Sequence, residues 1–166
     1  MRLNITTMDL NFENLIDKDK YQVFLFTCPI TIPLNFLVHS WFVVNQKGAI
    51  SRWEVIHVKN LCPTSWGYLH KDLFPLASGI RKFMPIKNLY SKNKLIASIE
   101  GGEGSNAQQM AEFIVNSNKT YPHCNFYNPL GPNSNSYTQW ILDQFPQFPA
   151  KLKWNALGKN YKFNRS

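Results

Sequence analysis

A helix-opening block, Gly131-Pro132-Asn133-Ser134-Asn135-Ser136-Tyr137, leads into the apolar run Trp140-Ile141-Leu142. A hydroxyl at a helix N-terminus meets free backbone N–H groups and the positive end of the helix dipole, surroundings that suit a nucleophile or an anion. They suit an ordinary helix cap equally well, and Ser134 is open to both readings. A serine nucleophile needs a neutral imidazole to take its proton during attack, and a third group to orient that imidazole. His39 is the candidate imidazole, with Glu54 or His57 as the third group. Glu54 and His57 lie an odd number of positions apart, so a regular strand turns them to opposite faces. Glu54 is favoured, because a carboxylate both orients an imidazole and stabilises its charged form. The Ser134 or Asn135 backbone N–H, with an asparagine side chain, would receive a developing oxyanion. Asn133, Asn135, Trp41 and Tyr137 are candidate ligand contacts.

The elements that must position these groups read as follows. Residues 1–20 are polar and weakly patterned, an N-terminal arm ahead of a single domain over 21–166. Tyr21 to Cys28, rich in Val and Phe, predicts a strand. Leu37 to Val44 predicts a second and Arg52 to Val58 a third. The Gln46-Lys47-Gly48 turn joins these two as an antiparallel hairpin. Trp66 to His70 and Leu95 to Glu100 are further strand candidates, and Tyr121 to Tyr127 a short edge segment. Ser105 caps a helix over about 106–116, with Met110, Phe113 and Ile114 on one face. The helix opened by Ser134 ends near Gln144, before Pro146. The pattern is α+β, an antiparallel sheet with two main helices.

Composition limits the partners. An aromatic fraction of 14% and a hydrophobic fraction of 44% exclude a disordered chain. The formal net charge is +8, which permits nucleic acid, anionic lipid or acidic glycan without choosing among them. One acid-free basic run holds Arg81, Lys82, Lys87, Lys92 and Lys94, and another holds Lys151, Lys153, Lys159, Lys162 and Arg165. Arg81, Lys82, Lys87, Lys151 and Lys153 are the candidate contacts to an anionic partner. Cys28, Cys62 and Cys124 lack the paired spacing of a zinc site, and neither metal nor cofactor is expected. The Val23–Val44 region is broken by Pro29, Pro33, Asn35, His39 and Ser40, a poor membrane helix. With no signal-peptide pattern at the N-terminus, a reduced cytoplasmic setting is the expectation.

The GPNSNSY block with WIL, the upstream His39-Ser40-Trp41 and the Gly158-Lys159-Asn160-Tyr161 ending resemble DUF3750, a bacterial family of unknown function. Arg52-Trp53-Glu54-Val55 and Tyr121-Pro122 fit the same pattern, and the likeness covers about 37–162. This chain has Tyr137 and Asn160 where that pattern has Phe and Asp. The order of parts is also similar to circularly permuted NlpC-type papain-like proteins, which include relatives of lecithin retinol acyltransferase. There a strand His comes first, a polar partner follows on the next strand, and the nucleophile opens a later helix. Ser134 stands where that group has cysteine. This second resemblance implies a papain-like fold and a hydrolase or acyltransferase acting on an amide or ester of a peptide, glycopeptide or lipid. Loss of the cysteine equally implies an inactive binding module with a cleft for a small molecule or peptide. Association through the basic surface is the third expectation.

Overall fold

Nearly every residue from Val23 to Cys28 and from His39 to Val44 is apolar or small, a pattern for strands covered on both faces. The computed structural model describes residues 12–30, 34–80 and 91–163, and these strands lie at its centre. They are β1 (Tyr21–Pro29) and β2 (Val38–Gln46), followed by β3 (Ala49–Val55), β4 (Ser65–Trp66), β5 (Leu69–Lys71) and β6 (Lys94–Gly101). The helices are α1 (Asn106–Val115), the single turn α2 (Ser117–Thr120) and α3 (Ser134–Gln144). One antiparallel six-stranded sheet runs β4-β5-β3-β2-β1-β6. The architecture is mixed α+β.

Strand alternation sorts the core into two layers. Val23, Leu25, Phe42, Val44, Trp53 and Val55 face α1 and α3, against Met110, Ile114, Tyr137 and Ile141. Phe24, Phe26, Cys28, Trp41 and Val43 face the other way, under Phe12 and Ala77. Phe12 thus packs into the core, edge-on to Phe24 at 5.0 Å, although it falls in the segment expected to form an arm. Of the candidate anionic contacts, Arg81, Lys82 and Lys87 lie outside the described residues, as does Arg165.

Three expectations are corrected by local chemistry. Trp66 to His70 forms two short strands instead of one, because Gly67 turns between them at φ 64°. Its backbone abuts the Cys124 carbonyl, and any Cβ there would lie 2.0 Å from that oxygen. Tyr121 to Tyr127 contains no strand. Pro122 has no N–H to donate, and contact with the strand region is made by Tyr68 N–H donating to the Cys124 carbonyl at 2.6 Å. The third strand ends at Val55, which leaves His57 in a loop.

Candidate functional site

The β2–β3 ladder pairs Phe42 with Trp53 and continues to the turn, but it does not extend to the start of β2. Residues 38–41 pair with β1 alone, while Glu54 and Val55 pair with β5. Side chains fill the opening. His39 Nε2 lies 2.8 Å from Glu54 Oε2, with His39 nearly buried and Glu54 fully so. Arg52, also fully buried, donates from Nη2 to Glu54 Oε2 at 2.8 Å. Its Nε stands 2.6 Å from Glu54 Oε1, an ion pair at an angle outside good hydrogen-bond geometry. Arg52 Nη1 donates to the Pro75 carbonyl at 2.7 Å and to the Ser78 carbonyl. The guanidinium lies 4.3 Å from the Trp41 ring centre, a cation–π contact in a dry setting.

The electrostatics of this chain follow from its order. Burial pushes the Glu54 carboxyl up, but the Arg52 charge and the His39 hydrogen bond outweigh it and hold the group at about 2. A carboxylate accepts only, so His39 must carry its proton on Nε2. That leaves Nδ1 as the nitrogen with no hydrogen bond among the described residues. Trp41 stacks on the imidazole at 5.9 Å and Phe26 on Trp41 at 5.5 Å, fixing the ring plane.

The start of α3 is built differently, from neutral groups. Asn133 is the N-cap: its Oδ1 accepts from the Asn135 and Ser136 N–H groups, and Ser136 Oγ accepts from Asn133 N–H. This is a capping box with serine at the third position. Asn133 Nδ2 donates to the carbonyls of Pro129 and Leu157. Asn135 Nδ2 donates to Val38 and Leu157 carbonyls, and its Oδ1 accepts from Ser40 Oγ at 2.8 Å. Ser40 Oγ also meets Thr138 Oγ1 at 2.8 Å and the Ser134 carbonyl at 3.5 Å. The helix start is therefore pinned to the residues on either side of His39. Ser134 is the first residue of the helix and not its cap. It is 7% exposed, and its hydroxyl makes no hydrogen bond among the described residues.

The candidate residues thus divide. His39 and Glu54 meet, while His57 is exposed and faces Tyr127 with ring centres 6.4 Å apart. Ser134 and His39 are held by neighbouring backbone, yet alternation along β2 points Ser40 towards α3 and His39 towards Trp41. No hydrogen bond joins the two side chains. Asn135 N–H is occupied by its cap, so of the two amides considered for an oxyanion only that of Ser134 carries no bond. Trp41 and Tyr137 are fully buried, with Trp41 Nε1 on the Leu76 carbonyl at 2.9 Å and Tyr137 OH on Ser117 Oγ at 2.8 Å. Neither offers a ligand any surface in this conformation. Arg52 was not among the candidates, although its position two residues before Glu54 puts both on one strand face. Buried arginine is rare enough that such a residue reads first as a solvated charge. Among the described residues no group of three or more His, Cys, Asp or Glu is placed to hold a metal ion.

No curated protein and no solved structure matches the chain. A family model described as "Protein of unknown function (DUF3750)" matches residues 20–161, and the chain belongs to that family.

Proposed function

We propose that this chain is a hydrolase or acyltransferase on a papain-like, permuted NlpC-type scaffold, with Ser134 in the place of cysteine. The observation that carries the proposal is that two groups on residues held by neighbouring backbone, His39 Nδ1 and the Ser134 hydroxyl, make no hydrogen bond among the described residues. Glu54 fixes the tautomer that makes His39 Nδ1 a proton acceptor, and Arg52 keeps Glu54 ionised. In the reaction, Ser134 Oγ attacks the carbonyl carbon of an amide or ester and its proton passes to His39 Nδ1. The Ser134 N–H, at the positive end of α3, meets the oxyanion. Collapse breaks the bond to the leaving amine or alcohol, which takes the proton from His39. Water or an acceptor hydroxyl, deprotonated by the same imidazole, then attacks the acyl carbon, and the bond to Ser134 Oγ breaks as that oxygen takes the proton back from His39. Attack requires the imidazole, which alternation turns away from α3, to come within hydrogen-bond distance of the Ser134 hydroxyl with substrate bound.

A second reading, a binding module without catalysis, draws support from the opposed directions of Ser40 and His39 on β2, which turn the imidazole away from α3. A panel of activated esters and amides separates the two. The enzyme reading expects turnover that falls at least about a hundredfold in both Ser134→Ala and His39→Ala. Turnover indifferent to both substitutions, or absent for every substrate, would favour the binding module.

A further inference from the structure

The same hydrogen bonds that anchor α3 gather an apolar rim around its start. Asn155 Nδ2 donates to the Phe36 carbonyl at 3.0 Å, and Val38 N–H donates to the Asn155 carbonyl at 3.2 Å. Asn133 ties Pro129 to Leu157, and Asn135 ties Leu157 to Val38. Three segments, 34–38, 129–135 and 154–158, are thereby held together. Each carries large apolar side chains in water: Trp154 is 79% exposed, Leu130 72%, Phe36 55%, Leu34 46% and Leu157 38%. Single exposed apolar residues are ordinary, but five on three linked segments make a candidate contact surface.

Charge selects the occupant. The segments 34–38, 129–135 and 154–158 contain no Asp or Glu, and across 129–163 Asp143 is the one acid against Lys151, Lys153, Lys159 and Lys162. Lys151 and Lys153 are exposed, and they precede Trp154 directly. Tryptophan sits at the boundary between headgroups and acyl chains, with its ring in the apolar side and its N–H in the polar side. Lysines beside it reach back to anionic headgroups, each strengthening attachment to an anionic leaflet. No helix among the described residues is long and apolar enough to cross a membrane, so contact of this kind would be made from the surface.

We propose that this rim docks the protein onto an anionic phospholipid surface, with Trp154, Phe36 and Leu130 inserted and Lys151 and Lys153 on the headgroups. The proposal does not depend on Ser134 being a nucleophile. Its test is sedimentation of the whole chain with phosphatidylcholine vesicles, with and without phosphatidylserine. Binding is expected to the phosphatidylserine vesicles and to weaken with added salt. Trp154→Ser combined with Phe36→Ser is expected to weaken it at least about tenfold, and so is Lys151→Glu combined with Lys153→Glu. Because these residues are exposed, both variants should keep the wild-type melting temperature. In the wild-type protein the same vesicles should shield Trp154 from acrylamide quenching. Failure to sediment with either vesicle would overturn the proposal. So would binding that survives the Trp154 and Phe36 substitutions, or binding to a single-stranded oligonucleotide in preference to the vesicles.

Discussion

The two polar regions beside the start of β2 solve the cost of burial in opposite ways. On the face away from the helices, Arg52 and Glu54 are ionised and fully buried, with His39 bonded to the carboxylate. At the start of α3, Asn133, Asn135, Ser136 and Thr138 are neutral, and most of their bonds go to backbone carbonyls or to the helix's own amides. Removing one member of a buried ion pair leaves an uncompensated charge, whereas removing a neutral partner leaves only a dipole. The strand cluster should therefore be brittle and pH-sensitive, the helix start graded and indifferent to pH. His39 Nδ1 in the first region and the Ser134 hydroxyl in the second make no hydrogen bond among the described residues, and the proposed reaction uses both.

The largest effect should come from Glu54→Gln, which strands Arg52. A loss of roughly 3–5 kcal/mol of stability is expected in urea unfolding at neutral pH, or failure to fold. Pairing it with Arg52→Met, which removes the stranded charge, should recover part of that loss. Equal destabilisation in the double variant would mean that the ion pair is not the source.

Acid titration of the wild-type protein comes next. The folded Glu54 carboxyl is held at about 2 against an ordinary 4.5, so its contribution is complete above about 4.5. It is lost as pH falls from 4.5 towards 2, by an amount on the order of 3 kcal/mol. A double variant lacking Arg52 and Glu54 should show a shallower acid limb, read from melting temperatures against pH.

At the helix start, Asn133→Ala should cost about 2 kcal/mol, through loss of the cap and of two carbonyl partners. Gly158→Ala attacks the same point from outside. Gly158 has φ 88°, and a Cβ there would lie 2.4 Å from Asn133 Nδ2. The melt of that variant should resemble that of Asn133→Ala, without added pH dependence. Ser134→Ala should change stability by no more than about 0.5 kcal/mol, since its hydroxyl holds nothing.

Much of the frame was legible because it rests on local chemistry. The Lys47-Gly48 turn, with φ of 51° and 92°, marks its hairpin in the sequence, and Ser105 and Pro146 bracket the helices. Alternation of two separates Glu54 from His57, and the structure puts Glu54 beside His39 and leaves His57 in a loop. What escaped sequence reading depends on contacts distant along the chain. Arg52 is buried only because Trp41, Pro75 and Ser78 close around it. Asn133 caps α3 through its own local capping box with Ser136, and the distant part is the second anchor, Asn133 Nδ2 on the Leu157 carbonyl. The break between Trp66 and His70 falls at Gly67, whose place inside a strand pattern marks a bend or a close approach; which backbone approaches it, that of Cys124, is set from far along the chain.

In the proposed reaction Ser134 Oγ and His39 Nδ1 act as one pair. Labelling with a fluorophosphonate probe, followed by peptide mass mapping, tests it directly. A single adduct on Ser134, formed in the folded wild-type protein and lost or strongly slowed in His39→Ala, is the predicted result. A folded wild-type protein that takes no label at Ser134, or takes it at the same rate without His39, would contradict the account.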